Sequence, residues 1–249
     1  MIWNRAKEML ANCWASYGTG PREPARVFLL ANRPINDVEI AAVGVYSNGS
    51  HVGILHRQVG GVRFLHLCGH DSLVNQVPNI SATPGHAHLA IWIAPKLDPS
   101  IIRNIAGLCR HFVFQEQYGD FPYGFSHPRG FFREIGGVNP FVIRPHTVGL
   151  TCATFVLSIF DYACYPLIRY RTWAIRKGDK AARQRVIDNM RQMGKQHAER
   201  VIREVGPRYH PLEVAAATSS NNYPVSFGTA LRLRQRLEVI CRRWGSIAP

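Results

Sequence analysis

Residues 51–68 read HVGILHRQVGGVRFLHLC. Two short runs rich in Val, Ile and Leu, HVGILHR and VRFLHLC, flank Gly60-Gly61, a dipeptide that accepts positive φ without steric penalty, so the pattern predicts a β-hairpin. Pairing the strands symmetrically about the two glycines makes opposed residue numbers sum to about 121, which sets His66 opposite Leu55 and His56 opposite Leu65. Side chains alternate along a strand, so His51, Gly53 and Leu55 share one face, and cross-strand neighbours point the same way. The hairpin is therefore expected to present two imidazoles, His51 and His66, on one side.

Working outward, RVFLLAN, VEIAAVGVYS and HLAIWIA carry the same strand signature between Asn, Gly and Pro clusters, which predicts an antiparallel sheet. Asp98-Pro99 opens a helix as N-cap and first helical residue, with Ile101, Ile102, Ile105, Leu108, Cys109 and Phe112 on one face. In TVGLTCATFVL (147–157), Gly149 marks a turn and Thr151 an N-cap. Cys152, Phe155, Val156, Ile159, Phe160 and Ala163 then share a helical face. Further helices are expected within 1–24, as a short amphipathic helix followed by the breaker YGTGPREP, over Asp179 to Val205 with the stripe Val186, Met190, Met193, His197, Val201, and over Thr229 to Trp244. The class is α+β: one domain over 1–249, with a core of about 26–165 and a basic helical extension of about 166–249.

Of 249 residues, 46% are hydrophobic, enough for a sizeable core rather than disorder. No apolar run reaches the roughly eighteen residues of a membrane span, and MIWNRAKEMLANCW carries charges where a signal peptide has an apolar stretch. A cytoplasmic protein is expected, or one exported without a signal peptide as an effector. The six cysteines are scattered without a CxxC pair, which favours reduced thiols. Net charge is +14, and residues 169–204 hold 11 Lys/Arg against 4 Asp/Glu. That field suits an anionic partner and equally a solvated helical face.

Cys152 opens its helix, where partial positive charge lowers a thiol pKa and makes thiolate available near neutrality. A nucleophilic thiol needs a base and a group to orient that base, which His51 and His66 can supply. Each residue alone also fits a structural role, Cys152 as a packed thiol and the histidines as hydrogen-bonded strand residues.

In order, HVGIL, FLHL one hairpin later and TCATFV opening a helix resemble the circularly permuted papain-like enzymes, which include permuted NlpC-type amidases and lecithin:retinol acyltransferase-like proteins. The resemblance covers about residues 40 to 165. It implies an antiparallel sheet packed on helices, Cys152 as nucleophile, His51 as base and His66 as the orienting residue. Through GDFPYGF it implies Tyr123 as an oxyanion or substrate-positioning residue. Leu55 stands where relatives carry an aromatic, and Thr151 where they carry Asn or Tyr; RYHPLEVAAA and NNYPV are reminiscent of bacterial members without an assigned role. The implied activity is cofactor-free hydrolysis of an amide, peptide or isopeptide bond in a peptide, protein or peptidoglycan-type substrate. Acyl transfer to or from lipid is the alternative. Two readings of another class are a zinc site built from His66, Cys68, His70, His86 and His88, and nucleic-acid binding through the basic helix 179–205.

Overall fold

A computed structural model describes residues 26–29, 34–68, 72–80, 88–114, 123–135, 139–143, 149–192 and 206–245. The helix expected over 1–24, and the part of the basic helix beyond residue 192, lie outside the described residues. The fold is α+β. Six antiparallel strands, β1 (Arg26–Leu29), β2 (Ala41–Tyr46), β3 (Val52–Gln58), β4 (Gly61–Cys68), β5 (Ser72–Gln76) and β6 (Leu89–Ala94), form one sheet in the order β1-β6-β2-β3-β4-β5. A separate two-stranded ribbon pairs β7 (Phe132–Ile135) with β8 (Asn139–Ile143).

The hairpin forms, with a corrected register. Gln58 pairs with Gly61, Arg57 with Val62, Leu55 with Phe64 and Ile54 with Leu65. Val59 and Gly60 form the turn, so opposed numbers are two lower in sum than symmetry about Gly60-Gly61 predicts. A shift of two residues preserves side-chain parity, so every residue keeps its predicted face. His66 stands against Gly53, not Leu55. A Cβ at Gly53 would lie 2.6 Å from the Leu65 carbonyl oxygen and 2.7 Å from the His66 Cβ, so only glycine admits this approach.

The two sheet faces serve different cores. Val43, Val45, Val52, Ile54, Leu65 and Leu67 pack against the helices in the main cluster. Ala42, Leu55, Phe64, Leu89 and Trp92 form a smaller cluster on the other face. Five helices follow among the described residues: α1 (Pro99–Phe114), α2 (Cys152–Tyr162), α3 (Asp179–Gln192), α4 (Pro211–Thr218) and α5 (Phe227–Gly245). The Asp98 carboxylate accepts from Ser100 N–H at 2.7 Å, capping α1, and Cys109 is core filler with no exposure. All eight residues of α4 are buried, as are Leu237 and Cys241 of α5, and they share one continuous cluster with the sheet and α2. Residues beyond 165 thus complete the same core as those before it. No described helix is long and apolar enough to cross a membrane.

Candidate active site

Cys152 is the first residue of α2, which runs through the main core with Cys152 to Phe160 all buried. Its start is set by a reciprocal cap: Thr151 Oγ1 accepts from Thr154 N–H at 3.2 Å, and Thr154 Oγ1 accepts from Thr151 N–H at 2.7 Å. Gly149, at φ 137°, turns the chain into this cap, a conformation that residues with a Cβ rarely adopt. The same turn is stitched to an earlier segment, with Ser126 N–H donating to Gly149 O at 3.0 Å and Gly124 N–H to Leu150 O at 3.2 Å. Tyr123 bridges Leu150 in parallel and so comes to the mouth of α2.

A cleft of about 80 Å³ opens at this helix start, lined by Ser50, Tyr123, Cys152, Arg208, Tyr209 and Pro211 among others. Its far wall is the loop into α4, where His210 caps the helix through Nδ1, accepting from Leu212 N–H at 3.3 Å, and Glu213 Oε2 accepts from His210 N–H at 3.1 Å. Glu213, with no exposure, also receives Arg234 Nη1 at 3.0 Å and Arg176 Nη1. Arg176 in turn donates to the Arg208 carbonyl at 2.7 Å and to Asp179 Oδ1 at 3.2 Å. Asp179 Oδ2 accepts the Arg208 N–H at 3.2 Å. The wall is therefore clamped by buried ion pairs drawn from α3, α4 and α5.

The two imidazoles meet as the hairpin parity requires. His51 Nε2 lies 2.5 Å from His66 Nδ1, so one proton is held between them. The pair stacks with Phe64 and Tyr46, with ring centroids 4.5 Å apart for Phe64 and His66 and 5.0 Å for Tyr46 and His51. These rings belong to the smaller-cluster face, whereas α2 packs on the other. The thiol faces the sheet at the strand end, where the Val52 backbone N–H is near enough to favour its charged form. Val52 directly follows His51. Cys152 and His51 are not hydrogen-bonded to each other, and His51 Nδ1 makes no hydrogen bond among the described residues.

Electrostatics correct one expectation. Burial pushes the Cys152 thiol up to about 11, against the pull of the Val52, Ala153 and Cys152 N–H groups and of the Arg208 guanidinium. The helix terminus is outweighed by desolvation, so the resting group is a thiol and not a thiolate. Burial lowers His51 to about 4, and burial together with the neighbouring His51 lowers His66 to about 3. At neutral pH the site therefore holds a protonated thiol and two neutral imidazoles. Burial first, then Cys152, raises Tyr123 well above the usual phenol range, keeping its hydroxyl protonated.

Of the residues singled out in the sequence, Cys152 and Tyr123 share the cleft, whereas His51 and His66 pair with each other on the other sheet face and do not line it. Arg208, Tyr209 and Pro211 were missed as cleft residues. Their local signal was legible in RYHPLE, where a polar cap, Pro at the first helical position and Glu at the third mark a helix start. Among the described residues no group of three or more His, Cys, Asp or Glu could hold a metal ion; Cys68 is exposed, and His70 and His86 lie outside the described residues. No family model, curated protein or solved structure matches the chain.

Proposed function

We propose that the protein is a cysteine-dependent hydrolase of amide, peptide or isopeptide bonds, built on a permuted papain-like fold of the NlpC type. The observation that carries the reading is that Cys152 opens a capped helix in a cleft shared with Tyr123, near the Val52 backbone directly after His51, while His66 occupies the far nitrogen of that imidazole. A base that serves a thiol through Nδ1 must carry its own proton at Nε2, and a proton donated from His51 Nε2 to His66 Nδ1 is that tautomer.

In the reaction, the Cys152 proton passes to His51 Nδ1 as sulfur bonds to the carbonyl carbon. His51 then gives that proton to the departing amine as the C–N bond breaks, leaving a thioester. Water, deprotonated by His51, adds to the thioester, and the C–S bond breaks to regenerate the thiol. The Cys152 backbone N–H and the Tyr123 hydroxyl meet the negative oxygen. A raised thiol pKa suits this concerted base mechanism better than a standing thiolate–imidazolium pair.

Cys241 is the internal reference, since burial raises it to about 11 as well, with Glu238 adding to the rise. Alkylation by iodoacetamide, mapped by mass spectrometry, is expected to modify Cys152 well ahead of Cys241. His51→Ala is expected to slow the Cys152 reaction at least about a hundredfold, the low end of the usual range for loss of a general base. Cys152→Ala is expected to abolish turnover of any accepted peptide while leaving the thermal midpoint nearly unchanged. Equal labelling of Cys152 and Cys241, or a Cys152 rate indifferent to His51→Ala, refutes the reading.

A further inference from the structure

Among the described residues Arg208 is the only charged one lining the thiol cleft, and no acid lines it. Its backbone is held at both ends, by Asp179 Oδ2 on the N–H at 3.2 Å and by Arg176 Nη2 on the carbonyl at 2.7 Å. Its guanidinium, by contrast, has no ion pair or hydrogen bond among the described residues. The acids close to it are already used. Asp179 holds the Arg176 N–H at 2.9 Å and its Nε at 3.2 Å besides the Arg208 amide, and Glu213 holds Arg176, Arg234 and the His210 N–H. Three neighbouring arginines thus find partners within the protein: Arg176 and Arg234 on Glu213, and Arg183 on the Gly206 carbonyl at 2.6 Å. The ion network fixes the Arg208 backbone and leaves its fork of donors over the cleft. A half-buried guanidinium without a counter-charge is a recognition element for a carboxylate, which it can take in bidentate fashion.

We infer that Arg208 selects substrates whose acyl portion carries a carboxylate close to the scissile carbonyl, with Arg208 binding that carboxylate while Cys152 attacks. The inference rests on the thiol-hydrolase reading above and deepens it. Two further features agree with it. Arg208 is near enough to both Cys152 and Tyr123 to favour their charged forms, so an anion seated on it lies beside the reacting groups. The wall on either side of it is stiff, with Pro207 and Pro211 flanking and the Arg183 guanidinium 5.3 Å from the Phe125 ring centroid.

The test uses two electrophiles that differ by one charge, iodoacetate and iodoacetamide, with rates read at Cys152 by mass spectrometry in the full-length protein. In both reactions sulfur displaces iodide and the thiol proton is released, so the ratio of the two rates cancels any change in thiol ionisation. Arg208→Gln is expected to lower the iodoacetate to iodoacetamide ratio about tenfold, the usual weight of a charge-assisted hydrogen bond, and Arg208→Lys to keep most of it. Raising salt is expected to shrink the ratio in the parent and not in Arg208→Gln. If Arg208→Gln slows both reagents equally, or neither, the carboxylate role is overturned while the hydrolase reading stands. If Cys152 outpaces Cys241 with neither reagent in the parent protein, the hydrolase reading itself falls.

Discussion

Acid should unfold this protein through its buried histidines, beginning well above the carboxylate range. His56 has no exposure, donates from Nε2 to Asn75 Oδ1 at 3.1 Å, and is lowered by burial from 6.5 to about 4. His66, 1% exposed, falls to about 3. Because the folded values lie below the unfolded one, the unfolded chain takes up protons first. The stabilisation is complete above pH 6.5 and is lost as pH falls toward 4. At pH 5 each of these two histidines then costs about 2 kcal/mol relative to pH 8, from ~1.4 kcal/mol per unit over the interval below the unfolded pKa. Together they remove ~4 kcal/mol of a total that is commonly 5–15 kcal/mol, with smaller contributions from the more exposed His51 and His210. Equilibrium urea unfolding at half-unit steps from pH 8 to 5 measures the slope directly. His56→Gln, which keeps a neutral donor toward Asn75, is expected to remove about 1.4 kcal/mol per pH unit from that slope. A urea midpoint constant from pH 8 to 5, or a slope unchanged by His56→Gln, refutes the reasoning. In the folded protein His51 and His66 stay neutral down to about pH 4, so over this interval activity is expected to fall only as the folded fraction falls.

Glu213→Ala leaves Arg176 and Arg234 facing one another without their buried carboxylate and is expected to cost ~3–5 kcal/mol by thermal unfolding, with Glu213→Gln costing less. Gly53→Ala forces β3 from β4 at the point where the Leu65 carbonyl and His66 Cβ crowd it, and is expected to cost ~1–3 kcal/mol. Gly107→Ala, inside α1 where an added Cβ would meet nothing closer than the Arg110 guanidinium at 4.0 Å, is expected to stabilise by ~0.5–1 kcal/mol in the same assay.

The sheet and the start of α2 were legible because their causes are local. β-Branched runs punctuated by glycine name the hairpin, and the Thr151 hydroxyl names the cap whatever the rest of the chain does. The hairpin register differs by two because the turn centres on Val59-Gly60 rather than on Gly60-Gly61, with Val59 projecting fully into solvent. That His51 and His66 still meet follows from parity alone. The thiol's ionisation was misjudged for the opposite reason: a helix terminus is visible in sequence, but the burial that outweighs it comes from tertiary packing. Arg208 was invisible as a cleft residue on the same ground, since it reaches Cys152 through ion pairs between residues 21 and 37 positions apart.

The clamp through Glu213 has a consequence for the order in which the protein is made. Chains emerge from the ribosome from the N-terminus, and early elements gather first. The hairpin, with its paired imidazoles, and α2, with its thiol, are synthesised long before residues 206–211 that wall the cleft. That wall is locked only when Arg234 on the last helix arrives. The Cys152 thiol is thus made well before Arg208 stands beside it, and the cleft is complete only after the chain has been synthesised through Arg234.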